Sequence, residues 1–442
     1  MASIQQSNTL KLPNGTPESQ CKVVTAPTIA KSLLAEVAKD LALLEYKPKL
    51  VGILANEDEH AKTYAEYSAK TCKENGFDFD LRIVSKADIE ESIFAANTDK
   101  SVHGIIVYYP IFPSPRQDQY IQQLVALEKD VEGLSHKYIF NMYQNIRFLD
   151  VPMCGQKSIL PCTPLAVVKI LEYLQVYNTI MPYGNRLFGK TITVINRSEV
   201  VGRPLAALLA NDGAKVYSVD LDGVQIFTRG RGLKKHKHEV TVTDMKLEDC
   251  LPLSDVVISG VPSKSYKVDV SKLRDGAICV NFSSDKNLEA AAVKEHASIY
   301  VPTIGKVTIA VLLRNLLRLC HNRDMRESYK HIARQARRSI DVCALHGVRI
   351  EAAESIVEKL TTAGYLSASD ESAVPAVAVT PTVSEQTAED KEETQRSTAQ
   401  LEALWKQLPE LTIKEQTGKQ EELDKLLLAL DESFKRKNGT SA

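Results

Sequence analysis

The chain has 442 residues, enough for two or three ordinary domains. It is 44% apolar and 25% charged with a formal net charge of −1, an ordinary globular balance that argues against a chain built mainly to hold nucleic acid or an anionic membrane. No apolar run approaches the roughly 20 residues of a membrane span, the first residues carry neither a signal-peptide core nor an arginine, and the eight cysteines show no CxxC spacing, so a cytoplasmic protein with reduced thiols and no metal site is expected.

The first helix expected is "PTIAKSLLAEVAKDLALL", with Pro27 in the first turn, where its missing N–H costs nothing. Short apolar strands then alternate with amphipathic helices: "KLVGILAN", "HAKTYAEYSAKTCKENG" stopped by Gly76, "FDFDLRIV", "ADIEESIFAANT" and "VHGIIVYYP". That alternation predicts parallel βαβ units with helices covering the sheet. A helix from about Pro164 to Leu174 leads into a second such unit. Its strands are expected at Thr191–Asn196, Lys215–Val219, Asp255–Gly260, Gly276–Phe282 and Ser298–Val301, before a last apolar helix, "VTIAVLLRNLLRLC".

The fold class expected is therefore α/β, with two α/β domains. Residues 1–163 form the first, completed by a helix over 307–322; residues 164–306 form a Rossmann-like second. Residues 323–442 form a helical, partly disordered extension. It contains "SYKHIARQARRSIDV" and "RIEAAESIVEKLTTAG", then the low-complexity "SASDESAVPAVAVTPTVSEQTAEDKEETQ", then two amphipathic patterns around Trp405 and Leu427. The basic run "RGRGLKKHKH" from Arg229 to His238 reads first as a solvated face, and second as an attractor for a polyanionic ligand tail.

Residues 190 to 220, "KTITVINRSEVVGRPLAALLANDGAKVYSVD", run strand, polar turn, helix, strand. A dinucleotide turn ordinarily carries three glycines, whereas here only Gly202 precedes the helix. Backbone N–H groups at the helix start still favour a pyrophosphate, and Arg197 and Ser198 add a charge and a hydroxyl donor. Asp220, just past Val219 at the end of the second strand, is placed to accept from ribose hydroxyls and to repel a 2′-phosphate, which selects NAD over NADP. Taken alone, the turn reads equally as an ordinary strand-to-helix connection with a chance acid.

Together, "NRSEVVGRP", "ILPCTP", "EKDVEGL" and "GKVTIAVLLRN" resemble motifs of the methylenetetrahydrofolate dehydrogenases, nearest the monofunctional NAD-dependent fungal type, over roughly residues 25 to 322. The resemblance implies a folate cleft between the two domains, a homodimer, and hydride transfer from 5,10-methylenetetrahydrofolate to NAD, within one-carbon metabolism and purine biosynthesis. It also accounts for the missing glycines, because that family uses a serine-containing turn followed by Val-Gly-x-Pro. It implies that Glu132 is the acidic pterin ligand, that Tyr64 stacks on the aminobenzoyl ring, and that Cys162 contacts the nicotinamide or the folate near the transferred hydride. The residues alone also read as a loop-capping carboxylate at Glu132, half-buried packing at Tyr64 and inert filler at Cys162, and Asp130 reads as structural. Tyr64, Glu132 and Cys162 are the candidate catalytic residues. Arg197, Ser198, Gly202, Val219, Asp220, Gly260, Val261, Pro262, Thr303 and Gly305 are the candidate cofactor set.

Ser68 shares a helical face with Tyr64, and with Tyr108 it completes the candidate folate contacts. Bifunctional relatives, which also hydrolyse the methenyl product, carry a lysine where Ser68 stands and a glutamine where Tyr108 stands. Hydrolysis needs a group that activates water and manages a proton, and a serine hydroxyl is a poor substitute. Loss of cyclohydrolase activity is expected. Two other readings stay open: a bifunctional dehydrogenase–cyclohydrolase, and a scaffold that recruits a protein partner through its C-terminal helices.

Overall fold

The computed structural model describes residues 21–149, 155–229, 237–344 and 351–362, with a few single positions between 396 and 425. By contact the chain divides into two units, Met1–Arg147 with Ile159–Leu317, and Phe148–Ser158 with Arg318–Ala442. The expected second half, 164–306, falls in the first unit with most of the expected first half, of which Phe148–Ser158 and the helix residues beyond Leu317 fall in the second.

The first unit opens with β1 (Lys22–Val23), α1 (Ala26–Leu41), β2 (Lys49–Leu54), α2 (Glu59–Glu74), β3 (Asp78–Ile83), α3 (Ile89–Thr98) and β4 (Gly104–Val107). Helices α4 (Pro115–Leu124), α5 (His136–Tyr143) and α6 (Cys162–Tyr173) follow. Then come β5 (Thr191–Ile195), α7 (Gly202–Asn211), β6 (Lys215–Asp220), β7 (Gly223–Arg229) and β8 (His238–Thr243). The series continues with α8 (Leu247–Cys250), β9 (Val256–Ser259), β10 (Ile278–Asn281), α9 (Ala290–His296), β11 (Ile299–Val301) and α10 (Gly305–Ala344), whose residues up to Leu317 belong to the first unit; α11 (Glu351–Thr362) lies in the second.

The small sheet is parallel, in the order β3-β2-β4, and β2 and β4 are buried along nearly all their length, as covered parallel strands are. Helix α2 starts at Asp58, whose side chain accepts from the Ala61 N–H at 2.9 Å, and stops before Gly76, whose φ of +84° suits glycine. The large sheet runs β1-β11-β10-β9-β5-β6-β7-β8, parallel as far as β6 and then closed by the antiparallel pair β7 and β8. One core runs through α6, α7, β5 and the start of α10; another lies against the small sheet.

The expected strands and helices are present within a few residues. Several elements were not expected: α4, α5, the β7–β8 pair, α8, α9, and β1, which pairs with β11 (Lys22 opposite Ile299) and so puts part of the presumed first domain into the large sheet. The final helix does not stop near 322. It runs to Ala344 and absorbs most of the separate basic helix expected there. The low-complexity stretch, most of the basic run after Arg229, and the terminal patterns around Trp405 and Leu427 lie outside the described residues, isolated positions apart. Among the described residues, no helix is long and apolar enough to cross a membrane.

Each sheet has a point where strand order reverses, at β2 in one and at β5 in the other. Crevices beyond the carboxyl ends of strands at such points are where open α/β sheets take ligands.

Candidate active site

At the small sheet's reversal point, the Asn56 amide donates to the carbonyls of Tyr108 and Pro110, both at 2.8 Å, and fixes the turn leaving β4. Beside β4 runs the segment from Asp130, which bridges Ile105 in parallel. The buried Asp130 carboxylate accepts from the N–H groups of Gly133 and Ser135, both at 2.8 Å, so it shapes this loop as the structural reading expects. Gly133 sits at φ +70°, and a Cβ there would lie 2.8 Å from the Leu160 carbonyl carbon. The loop therefore presses on the segment entering α6. The Cys162 N–H donates to the Glu132 carbonyl at 3.1 Å. From α10, Asn315 donates to the carbonyls of Val131 (2.9 Å) and Leu160 (3.1 Å), clamping both segments from below.

These constraints bring Tyr64, Glu132 and Cys162 together. The Glu132 carboxylate takes one protein hydrogen bond, from the Val107 N–H at 3.1 Å. Burial pushes its pKa up to about 8, against the Val107 bond and with help from the Asp130 charge. Tyr64 is half-buried; burial first, then the neighbouring Cys162, Glu132 and Tyr108, hold its phenol well above the usual range. Burial pushes the Cys162 thiol up to about 12, with Glu132 adding to the shift, so it is protonated at neutral pH and is no thiolate nucleophile. Tyr109 belongs to the same cluster, its phenol raised by burial and then by Glu132. Its only trace in the sequence is adjacency to Tyr108.

Ser68 and Tyr108 do not line the site. Ser68 is fully buried and its hydroxyl donates to the Tyr64 carbonyl at 2.8 Å, a bond within the helix. Tyr108 is 3% exposed, with its ring edge-on to Tyr64 at 5.9 Å and close over Gly52. The pair makes the wall behind Tyr64 and offers no ligand-facing surface.

At the large sheet's reversal point, Asn196 (φ +86°) ends β5 and donates to the Gly260 carbonyl at 2.7 Å, joining the ends of β5 and β9. A Cβ on Gly202 would fall 1.8 Å from the Asn196 carbonyl oxygen, so this single glycine lets α7 start against the strand end. The Ser198 hydroxyl accepts from the N–H groups of Val201 and Gly202, both at 3.3 Å, and thereby caps α7. Asp220 accepts from the N–H groups of Arg197 (2.6 Å) and Leu221 (2.7 Å), just beyond the buried Val219. Each of its oxygens keeps lone-pair capacity for a further donor, as a ribose contact requires.

Arg197 departs from expectation. Every nitrogen of its guanidinium is engaged within the protein: Nε by Ser218, Nη2 by the carbonyls of Ser218 and Gly223, and Nη1 by both oxygens of Asp222. It anchors the β6–β7 turn and does not offer its charge to a phosphate. Gly260 is pressed by the Phe282 ring, and Val261 is held at both N–H and C=O by Asn287, which sequence reasoning passed over. Pro262 and Thr303 are exposed, and the space beside Gly305 is open. Thr308 is buried and donates to the Ile304 carbonyl, so it supports its own helix. Among the described residues, Asp220 keeps acceptor capacity and the neighbouring Arg197 guanidinium is already engaged, a combination that suits NAD. Among the described residues, no group of three or more His, Cys, Asp or Glu side chains is placed to hold a metal ion.

The family description "Tetrahydrofolate dehydrogenase/cyclohydrolase, catalytic domain" matches residues 24–132, and the NAD(P)-binding domain of the same family matches residues 161–231. Methylenetetrahydrofolate dehydrogenase (NAD(+)) of Schizosaccharomyces pombe is 60% identical over 303 residues, covering 69% of this chain and 94% of the relative. The protein of the same name from Dictyostelium discoideum is 45% identical over 302 residues, covering 68% and 94%. The solved structure of the NAD-dependent 5,10-methylenetetrahydrofolate dehydrogenase of Saccharomyces cerevisiae is similar at a TM-score of 0.65 and 52% identity, covering 68% of this chain and 98% of that one.

Proposed function

The chain belongs to the tetrahydrofolate dehydrogenase/cyclohydrolase family, and from that premise we propose that it oxidises 5,10-methylenetetrahydrofolate to 5,10-methenyltetrahydrofolate with NAD and leaves the product unhydrolysed. The observation that carries the reading is the meeting of Tyr64, Glu132 and Cys162 at the end of the small sheet, with Cys162 opening the helix that leads to the nucleotide unit.

Bound NAD supplies the hydride acceptor. The chain's own part is alignment and electrostatics. Glu132 accepts from the pterin ring N–H and exocyclic amine, and its negative charge favours the cation that develops as the hydride leaves. The two nitrogens flanking the reacting carbon share that cation, so no side chain need take a proton there. The Tyr64 ring, steadied by its edge contact with Tyr108, gives a flat face for the aminobenzoyl group. Cys162 contributes a neutral, compact wall. Asp220 holds the adenosine ribose and excludes a 2′-phosphate.

Support for the missing hydrolysis comes from α2. Its Tyr64–Ser68 face carries no amine, because Lys62 and Lys70 are exposed and pair with Glu59 and Glu74. Ser68 itself is committed to the Tyr64 carbonyl. Methenyltetrahydrofolate is expected to accumulate in step with NADH and to decay at the rate seen in buffer. Faster decay of added methenyltetrahydrofolate with the unmodified protein would overturn this half of the reading. Ser68→Lys alone is expected to restore little hydrolysis; paired with Tyr108→Gln it removes the ring that fills the neighbouring space.

The family resemblance also supports a cytoplasmic homodimer that takes polyglutamylated folates, with domain boundaries near residues 163 and 306. A monomer by light scattering at micromolar concentration would count against the dimer.

A further inference from the structure

We propose that Asp222 is a second determinant of cofactor choice, a positioning residue that keeps the Arg197 guanidinium from meeting a 2′-phosphate. The proposal rests on the NAD reading of this site. The Arg197 backbone N–H donates to Asp220 at 2.6 Å, so the arginine shares its local frame with the carboxylate assigned to the ribose. Its side chain then runs inward and is only 4% exposed. Its bonds divide into two kinds. The Ser218 and Gly223 carbonyls at 2.7 Å are backbone of β6 and β7 and cannot be withdrawn without breaking that hairpin, and the Ser218 hydroxyl at 3.2 Å comes from a fully buried side chain. The bonds of Nη1 to Asp222, at 2.8 and 3.0 Å, come from a side chain that is 70% exposed.

Asp222 is therefore the one partner that can be removed cheaply. An ion pair with so exposed a carboxylate contributes little to the fold. Its effect on a ligand is larger, because it neutralises the Arg197 guanidinium and occupies the outer nitrogen that could face an incoming anion. Two carboxylates against one guanidinium leave the local charge at about −1, and replacing both makes it about +1. A phosphate that is repelled in the first case finds a charge-assisted donor in the second. It follows that removing Asp220 alone relieves repulsion but supplies no attraction.

The test is isothermal titration of NAD and NADP into the full-length protein and its Asp222→Asn, Asp220→Ser and doubly substituted forms, with melting curves as a check on folding. Asp222→Asn is expected to keep the NAD dissociation constant within about twofold, since the carboxylate it removes is not assigned to the ribose. The double variant is expected to bind NADP at least about tenfold more tightly than Asp220→Ser does, with a gain that shrinks as salt is raised. A residue that merely shaped the turn would shift the melting curve without moving NADP affinity. Equal NADP binding by the double and the Asp220→Ser variants overturns the proposal, as does loss of NAD binding in Asp222→Asn. Failure of the underlying reading is separate, since the unmodified protein would then bind no NAD.

Discussion

Glu132→Gln is expected to lower kcat/KM for methylenetetrahydrofolate by about a hundredfold and to leave NAD affinity within about twofold. Hydrogen bonds to a charged partner are worth about 1.5–3 kcal/mol each, and the carboxylate makes two of them to the pterin on the proposed reading. The amide turns one into a clash of donors and removes the charge that favours the cationic product. The pH profile gives an independent check. Burial raises the group from 4.5 to about 8 in the free protein, so at pH 7 most molecules hold it protonated and unable to accept twice. Folate binding selects the ionised form, so kcat/KM climbs with pH and levels above about 8. In Glu132→Gln that climb is lost. Stability moves the other way. A carboxyl raised by folding contributes stability that is complete below pH 4.5 and is lost as pH rises through about 8, so the amide variant melts higher than the unmodified protein in alkaline buffer. A flat profile for the unmodified protein, or a Gln variant with near-normal kcat/KM, would remove Glu132 from the site.

Gly202→Ala is expected to abolish measurable NAD binding and to lower the melting temperature. The new methyl carbon would lie 1.8 Å from the Asn196 carbonyl oxygen, a backbone atom that no rotamer change can move aside. Helix α7 must shift from the strand end, and the Ser198 cap on Val201 and Gly202 shifts with it. Forced overpacking costs about 1–3 kcal/mol, and each kcal/mol moves the midpoint by about 2–4 °C in domains of about 150–250 residues. Gly305→Ala is the matched control. Nothing lies within 4 Å of a Cβ there, so the fold is unaffected and any loss of NAD affinity reports the ligand itself. Normal NAD titration by Gly202→Ala would show that the turn after β5 is not the nucleotide's seat.

What could be read in the sequence follows from which interactions are local. Strands β2, β5, β9 and β10 are buried from both sides, so they appear as short apolar runs at any reading. The stop at Gly76 and the acid that ends β6 are likewise fixed by neighbours a few residues away. Strand β1 is two residues long and owes its existence to Ile299 and Tyr300. The exposed alternation of β8 resembles a loop until β7 is beside it. At the site, residue types were legible but side-chain directions were not. Arg197 is an arginine next to a phosphate-like turn, and only the fold shows its guanidinium turned into the β6–β7 hairpin. Ser68 and Tyr108 were noticed as departures from a pattern, whereas their burial depends on Gly52 and Tyr64.

The Asn315 clamp has a consequence for how the protein is made. Its amide holds the carbonyls of Val131 and Leu160, residues that precede it by 184 and 155 positions, and β1 waits still longer for β11. At ribosomal rates of about 5–20 residues per second, the Glu132 loop leaves the synthesis tunnel about 10–40 s before the side chain that fixes it. Throughout that interval the small sheet can form while its ligand-binding rim stays unpinned. Catalytic geometry is thus completed only after the sheet strands have emerged, and a translation arrest before Asn315 emerges is expected to leave the Glu132 loop without this clamp.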